Sequence, residues 1–255
     1  MNITWTSRQG QSRRANSDAV AIGYKGQYLV AVVVDAAEKQ TKSRLIVGTN
    51  EKGQRLAQYW ADSCLCELIS TSAYLDEANL VSFLHEKQKH LRVHYLHDIA
   101  AYGVLVLDTN TTKFDWWFSG DCRLGLKFDK GETEGKGEDN CQVDWLSTPH
   151  RLENSPLFNT QDKTPAKAEE YQQIAKHTLS QSLNARRFMR PEKISSQLLA
   201  KQSIVIATDG YWCEHLAQGV AIDSLEDDAS LLTIRTGKRQ LSLTTDTSNL
   251  LVMYR

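Results

Sequence analysis

Three aspartates each stand at the end of an apolar, strand-like run: Asp35 after residues 28–34, Asp209 after residues 204–208, and Asp246 before residues 250–253. A carboxylate just past a buried strand is costly to desolvate unless a cation meets it. Three hard oxygen ligands, far apart in the chain, point to one Mg²⁺ or Mn²⁺ site at the edge of a sheet.

Other reactive groups give weaker signals. His90, His94 and His97 share one helical face, but His85-Glu86 followed by His90 is one residue too long for a His-Glu-x-x-His zinc site. The histidines therefore read as a polar helix face, and His150 as structural. The five cysteines cannot all pair and include no Cys-x-x-Cys, so they read as reduced thiols. The six tryptophans read as core or sheet-edge residues.

Composition narrows the partners. A net charge of −1 leaves no basic excess for nucleic acid or an anionic membrane surface. No apolar run is long enough to span a bilayer, and residues 1–10 lack the apolar core of a secretion signal, so the expectation is a cytoplasmic protein. Hydrophobic content of 41% and charged content of 24% are those of an ordinary globular chain.

The elements that must position the aspartates follow from periodicity. Residues 19–34 read as two adjacent strands around Gly23 and Gly26. Asn50 caps a helix to about Ser70 with Leu56, Tyr59, Trp60, Cys64 and Leu68 on one face; a second helix runs to about His97 with Leu80, Leu84, Leu91 and Tyr95 inward. Strands are predicted at 102–108, 114–119 and 122–128, a loop at 131–140, helices at 166–183 and 191–201, and strands at 203–208, 230–235, 240–244 and 250–254. Helices grouped between hairpins favour an α+β layered fold, with residues 1–255 as a single domain.

Several segments, in order, resemble the metal-dependent protein phosphatases of the PPM or type 2C family. Arg13-Arg-Ala-Asn-Ser-Asp18-Ala is similar to the family's Arg-x-x-Asn-(Glu/Gln)-Asp-Ala. Val32-Val-Val-Asp35 resembles the strand ending in its bridging aspartate, Phe118-Ser-Gly-Asp121-Cys-Arg123 its Gly-Asp-Ser-Arg segment, and Thr208-Asp209-Gly210-Tyr-Trp212 its (Ser/Thr)-Asp-Gly-x-Trp turn. Asp246-Thr-Ser-Asn-Leu-Leu-Val resembles the closing aspartate and strand. Asp227-Asp228-Ala-Ser230-Leu-Leu competes for that last place, but it follows Asp209 by only 18 or 19 residues, too few for the elements the family places between; Asp246 is preferred.

The resemblance implies a four-layer α-β-β-α sandwich, two antiparallel sheets with helices on both outer faces. It implies two Mn²⁺ or Mg²⁺ ions, with room for a third, in a cleft at one end. Asp35 would bridge the ions, the Ala36 carbonyl would serve one, Asp209 and Asp246 would complete the other, and Asp121 would hold the third. Asp18 would order the surrounding water, and Arg13 would meet the substrate phosphate with its paired donors. The implied activity is metal-assisted hydrolysis of phosphoserine or phosphothreonine in a protein substrate, with a cognate Ser/Thr kinase as counterpart and with no protein nucleophile.

Two departures stand against this. Ala36 replaces a glycine, which matters if the site needs positive φ, and Ser17 replaces Glu or Gln. They favour an alternative, a catalytically impaired phosphatase-fold binding module; Glu38 would be a substitute ligand. A metal-assisted hydrolase of a small phosphoester is the third option.

Overall fold

The computed structural model describes residues 1–37, 52–72, 76–128, 143–156, 158–159 and 164–253. In chain order these form strands β1 (Asn2–Arg8), β2 (Asp18–Lys25) and β3 (Tyr28–Ala36), then helices α1 (Lys52–Ser70), α2 (Glu77–Lys89) and α3 (Leu91–His94). Strands β4 (Ile99–Asp108), β5 (Lys113–Ser119), β6 (Arg123–Phe128) and β7 (Val143–Trp145) precede α4 (Pro165–Lys176). The rest is β8 (Leu183–Asn184), β9 (Glu192–Gln197), β10 (Gln202–Ala207), a π-helical turn (Gly210–Ala217), β11 (Ala229–Arg235), β12 (Gln240–Thr245) and β13 (Leu250–Met253).

The strands make two sheets, ordered β12-β1-β11-β10-β6-β7 and β13-β2-β3-β4-β5-β9, with β8 beside β4. β3 shows why they stack. Its run is apolar at every position because both faces are buried: Leu29, Ala31 and Val33 enter the core between the sheets, while Val30, Val32 and Val34 face a second core under the helices. That second core takes Leu56, Trp60, Cys64 and Leu68 from α1 with Leu80, Leu84 and Leu91 from α2 and α3, as the helical spacing predicts. β1 alternates instead, with only Ile3, Trp5 and Ser7 buried, so one face of its sheet is left to lighter cover. The π-helical turn packs beside β11 in that first sheet.

The predicted α+β sandwich is therefore present, with two refinements. β12 joins β1, and β13 joins β2, in parallel, so both sheets are mixed. Residues 191–201, predicted helical, instead form β9, which pairs with β5 so that Ile194 lies opposite Trp116. Pairing satisfies the open edge of β5 and covers its tryptophans, which outweighs the weak local preference for helix. The helix predicted over 166–183 stops at Lys176; Leu183 and Asn184 pair with β4. β1 and the π-helical turn were not predicted. Asn50, Glu38, Cys141 and the loop at 131–140 lie outside the described residues. Among the described residues no helix is long and apolar enough to cross a membrane.

Candidate functional site

Antiparallel pairing of β2 with β3 sets Asp18 opposite Asp35. Each is in step with a residue of the inter-sheet core, Val20 and Val33 respectively, so both carboxylates face the gap between the sheets. From the other sheet, β10 ends at Ala207 and β11 begins at Ala229, antiparallel and adjacent, so Asp209 and Asp227-Asp228 meet at the same end. A Cβ on Gly210 would overlap the Asp228 carbonyl; only glycine allows this approach. Asp121 enters from the β5–β6 turn, where Gly120 has φ +106° and presses against Ala101.

Side chains hold this arrangement. Thr208 Oγ1 donates to Asp18 Oδ2 at 2.9 Å, and the Asp18 N–H donates to Asn16 Oδ1 at 2.9 Å. Asp228 accepts from the backbone N–H of Gly10 at 3.0 Å and of Ser17 at 2.7 Å. Arg13 grips Asp227 with both arms, Nε to Oδ1 at 2.7 Å and Nη2 to Oδ2 at 2.5 Å. Arg151, 3% exposed, reaches Asp121 Oδ2 at 2.9 Å and Asp209 Oδ2 at 3.0 Å. His150 Nδ1 accepts from the Gly120 N–H at 3.1 Å, its Nε2 lies 3.1 Å from Glu192, and its ring stacks on Phe118, so it braces the Asp121 turn. That is the structural role expected of it.

Arg13, Asp35, Ala36, Asp121, Asp209 and Asp227 line a cavity of about 430 Å³. A cavity of about 550 Å³ lies at the opposite end of β3, lined by Tyr28, Asp76, Asp108, Lys113 and Asp115 among others. Desolvation first, then the neighbouring carboxylates, push Asp35 and Asp209 well above the ordinary carboxylate range. Asp18 is raised for the same reasons, burial and then Asp228. Asp121 is raised by burial, which Arg151 opposes. Burial lifts Asp228 to about 6, against the pull of the Ser17 and Gly10 N–H groups.

The structure thus brings together Arg13, Asp18, Asp35, Ala36, Asp121 and Asp209, and leaves Asp246 apart. Asp246 follows β12, where it accepts from the Gln9 N–H at 3.1 Å and stands 4.0 Å from Arg8. β12 is the sheet edge, three strands from β10. At about 4.8 Å per strand that is roughly 14 Å, too far to share an ion. Asp227, the competitor set aside on chain length, lines the cavity beside Asp209 instead. The span from Asp209 to Asp227 needs only the π-helical turn and a short 3₁₀ turn, Ile222–Ser224, before β11 begins. Its sequence signal, two aspartates before Ala-Ser-Leu-Leu, was visible; Arg151 gave none beyond lying next to His150.

Ala36 extends β3 and pairs with Ala100; Thr112 and Lys201 are the non-glycine described residues with positive φ. The alanine therefore sits without the strain that the lost glycine implied.

Six carboxyl groups (Asp18, Asp35, Asp121, Asp209, Asp227, Asp228) face two guanidiniums (Arg13, Arg151), four more acidic groups than basic ones. The buried Asp18 Oδ1 and Ser17 Oγ lack a partner among the described residues. Among the described residues no three His, Cys, Asp or Glu side chains close into a ligand cage. The set fits hard divalent ions that keep much of their water and take one or two carboxylates each.

No family model matches the sequence, and no curated protein matches it. Solved structures do. Stp1 of Staphylococcus aureus, a serine/threonine phosphatase, superposes with a TM-score of 0.62 at 13% identity, over 92% of this chain and 95% of that one. The Mycobacterium tuberculosis serine/threonine phosphatase PstP gives 0.61 at 13% identity, over 92% and 98%. RsbX, solved in complex with magnesium, gives 0.51 at 11% identity, over 90% and 92%. The fold is that of the bacterial serine/threonine phosphatases. In this phosphatase fold the carboxylate cluster lies at one open end of the sandwich.

Proposed function

We propose that the chain is a Mn²⁺- or Mg²⁺-dependent serine/threonine protein phosphatase, a divergent PPM or type 2C enzyme with residues 1–255 as one catalytic domain. The observation that carries this reading is the convergence, from four separate segments of chain, of four carboxylates (Asp35, Asp121, Asp209 and Asp227) on one cavity of about 430 Å³ rimmed by Arg13, with Asp18 and Asp228 buried behind them.

Asp35, Asp209 and Asp227 would hold the ions. Bound ions supply the charge that makes water nucleophilic near neutral pH and offset the charge of the phosphate. The chain's own residues do the rest. Asp18 Oδ1, buried and without a described partner, is set to accept a hydrogen bond from water. Arg13 is held at the cavity rim by Asp227 through Nε and Nη2, and its cationic head would meet and orient the substrate phosphate. Asp228 fixes the Gly10 and Ser17 backbone and through it the Arg13-bearing loop. The substrate is a phosphorylated protein, with a Ser/Thr kinase as the opposing activity.

Hydrolysis of p-nitrophenyl phosphate and of a phosphothreonine peptide in MnCl₂ tests this. Wild type turns over and Asp209→Asn loses at least about a hundredfold. Equal rates in the two, or no turnover by the folded wild type at any metal concentration, would overturn it; the second result would favour the binding module.

A further inference from the structure

Arg151, which the sequence did not mark, pairs with two aspartates that line the cleft. Its guanidinium bridges two aspartates at the same end of the paired strands β6 and β10, Asp121 just before β6 and Asp209 just after β10. Nε and Nη2 both reach Asp121 Oδ2, at 3.0 and 2.9 Å, and Nη2 also reaches Asp209 Oδ2 at 3.0 Å. The group lies flat against Trp212, 4.5 Å from the ring centre, and Trp212 Nε1 in turn donates to the Asp121 carbonyl at 2.9 Å. Nη1 points at Cys213 Sγ, 3.8 Å away. The backbone is tied as well: Leu152 N–H donates to the Thr178 carbonyl at 2.7 Å, and Arg151 bridges to Leu179. This is a positioned cation, not a surface arginine in transit.

We infer that Arg151 is a built-in replacement for a metal ion between Asp121 and Asp209, so the cleft holds one ion fewer than its carboxylates would otherwise take. The physical reasons are occupancy and charge. The guanidinium takes the facing oxygen of each aspartate, and an arginine does not lose its proton at any working pH, so the +1 charge is permanent. A divalent ion entering there would have to displace a planar donor held by two carboxylates and an aromatic face. On this inference Asp121 meets Arg151 where the resemblance would give it a third ion; Asp209 Oδ2 is held by Arg151 as well, so Asp209 would meet an ion through its other oxygen. The inference rests on the proposed function for the identity of the remaining ions, not for the Arg151 contacts.

Equilibrium dialysis of the full chain against MnCl₂, with bound manganese counted by atomic emission, tests it. Arg151→Met is expected to hold one Mn²⁺ more than wild type, and adding Asp121→Asn to that variant to remove the extra ion. Asp121→Asn alone is expected to leave the wild-type count unchanged. An Arg151→Met protein with the wild-type count, or loss of an ion from Asp121→Asn alone, would overturn the inference. Should Arg151→Met not fold, Arg151→Lys, too short to bridge both aspartates, gives the same comparison. The two readings fail separately: a wild type that binds no manganese sinks the metal-dependent phosphatase, while one ion gained by Arg151→Met would still support the role of Arg151.

Discussion

Asp18 and Asp35 stand directly across from each other in the β2–β3 ladder, on the face that looks into the gap between the sheets. Like charges so placed destabilise a strand pair unless a cation lies between them. The cluster is thus built against the stability of the metal-free protein.

Asp35→Asn is accordingly expected to stabilise the protein in EDTA by about 1–2 kcal/mol, which raises Tm by roughly 2–8 °C in a chain of this size. The same change abolishes phosphatase turnover in MnCl₂. Melting curves in EDTA beside rates in MnCl₂ check the opposed signs; a destabilised, active variant would contradict both.

Asp227 and Asp246 separate by the same assay. Asp227→Asn, which also removes the Arg13 ion pair, is expected to lower kcat/KM by about a hundredfold and to raise the manganese requirement. Asp246 meets the Gln9 N–H and Arg8 among the described residues, and turnover of Asp246→Asn should stay within about twofold.

Stability of the metal-free protein depends on pH through the raised carboxyls. Asp228 ionises near 6 in the fold against 3.8 ordinarily. Between those values the fold keeps a proton that the unfolded chain has released. Folding is therefore favoured at low pH, and that contribution is lost as pH rises through about 6. Asp18, Asp35 and Asp209 shift in the same direction and extend the loss upward. Urea unfolding in EDTA at stepped pH should show stability falling across this range, and saturating MnCl₂ should flatten the slope.

Gly120→Ala places a Cβ against Ala101 at φ +106°. The expected cost is about 2–4 kcal/mol in urea unfolding, with lost activity as Asp121 and the Arg151 bridge move. A variant of wild-type stability would show that the turn relaxes freely.

Much of this was legible before any coordinates. The two-sided apolar run of β3, the helical stripes of α1 and α2, and the aspartates ending at residues 35 and 209 are local patterns of period and composition, and local patterns survive folding. Residues 191–201 misled because their helix preference was weak and the decision lay with the open edge of β5.

Sequence by itself determined that carboxylates end buried strands, where burial without a countercharge is costly. Only the tertiary structure decided which carboxylates come together. Asp227 and Asp246 both lie near the start of a strand-like segment, and motif spacing favoured Asp246. Strand order put Asp227 beside Asp209 and Asp246 at the far edge. Likewise Arg151 carries no mark in the chain; it meets the cluster because antiparallel pairing of β6 with β10 sets Asp121 and Asp209 side by side, within reach of one guanidinium. Adjacency across sheets depends on pairing between distant segments, which no local pattern encodes.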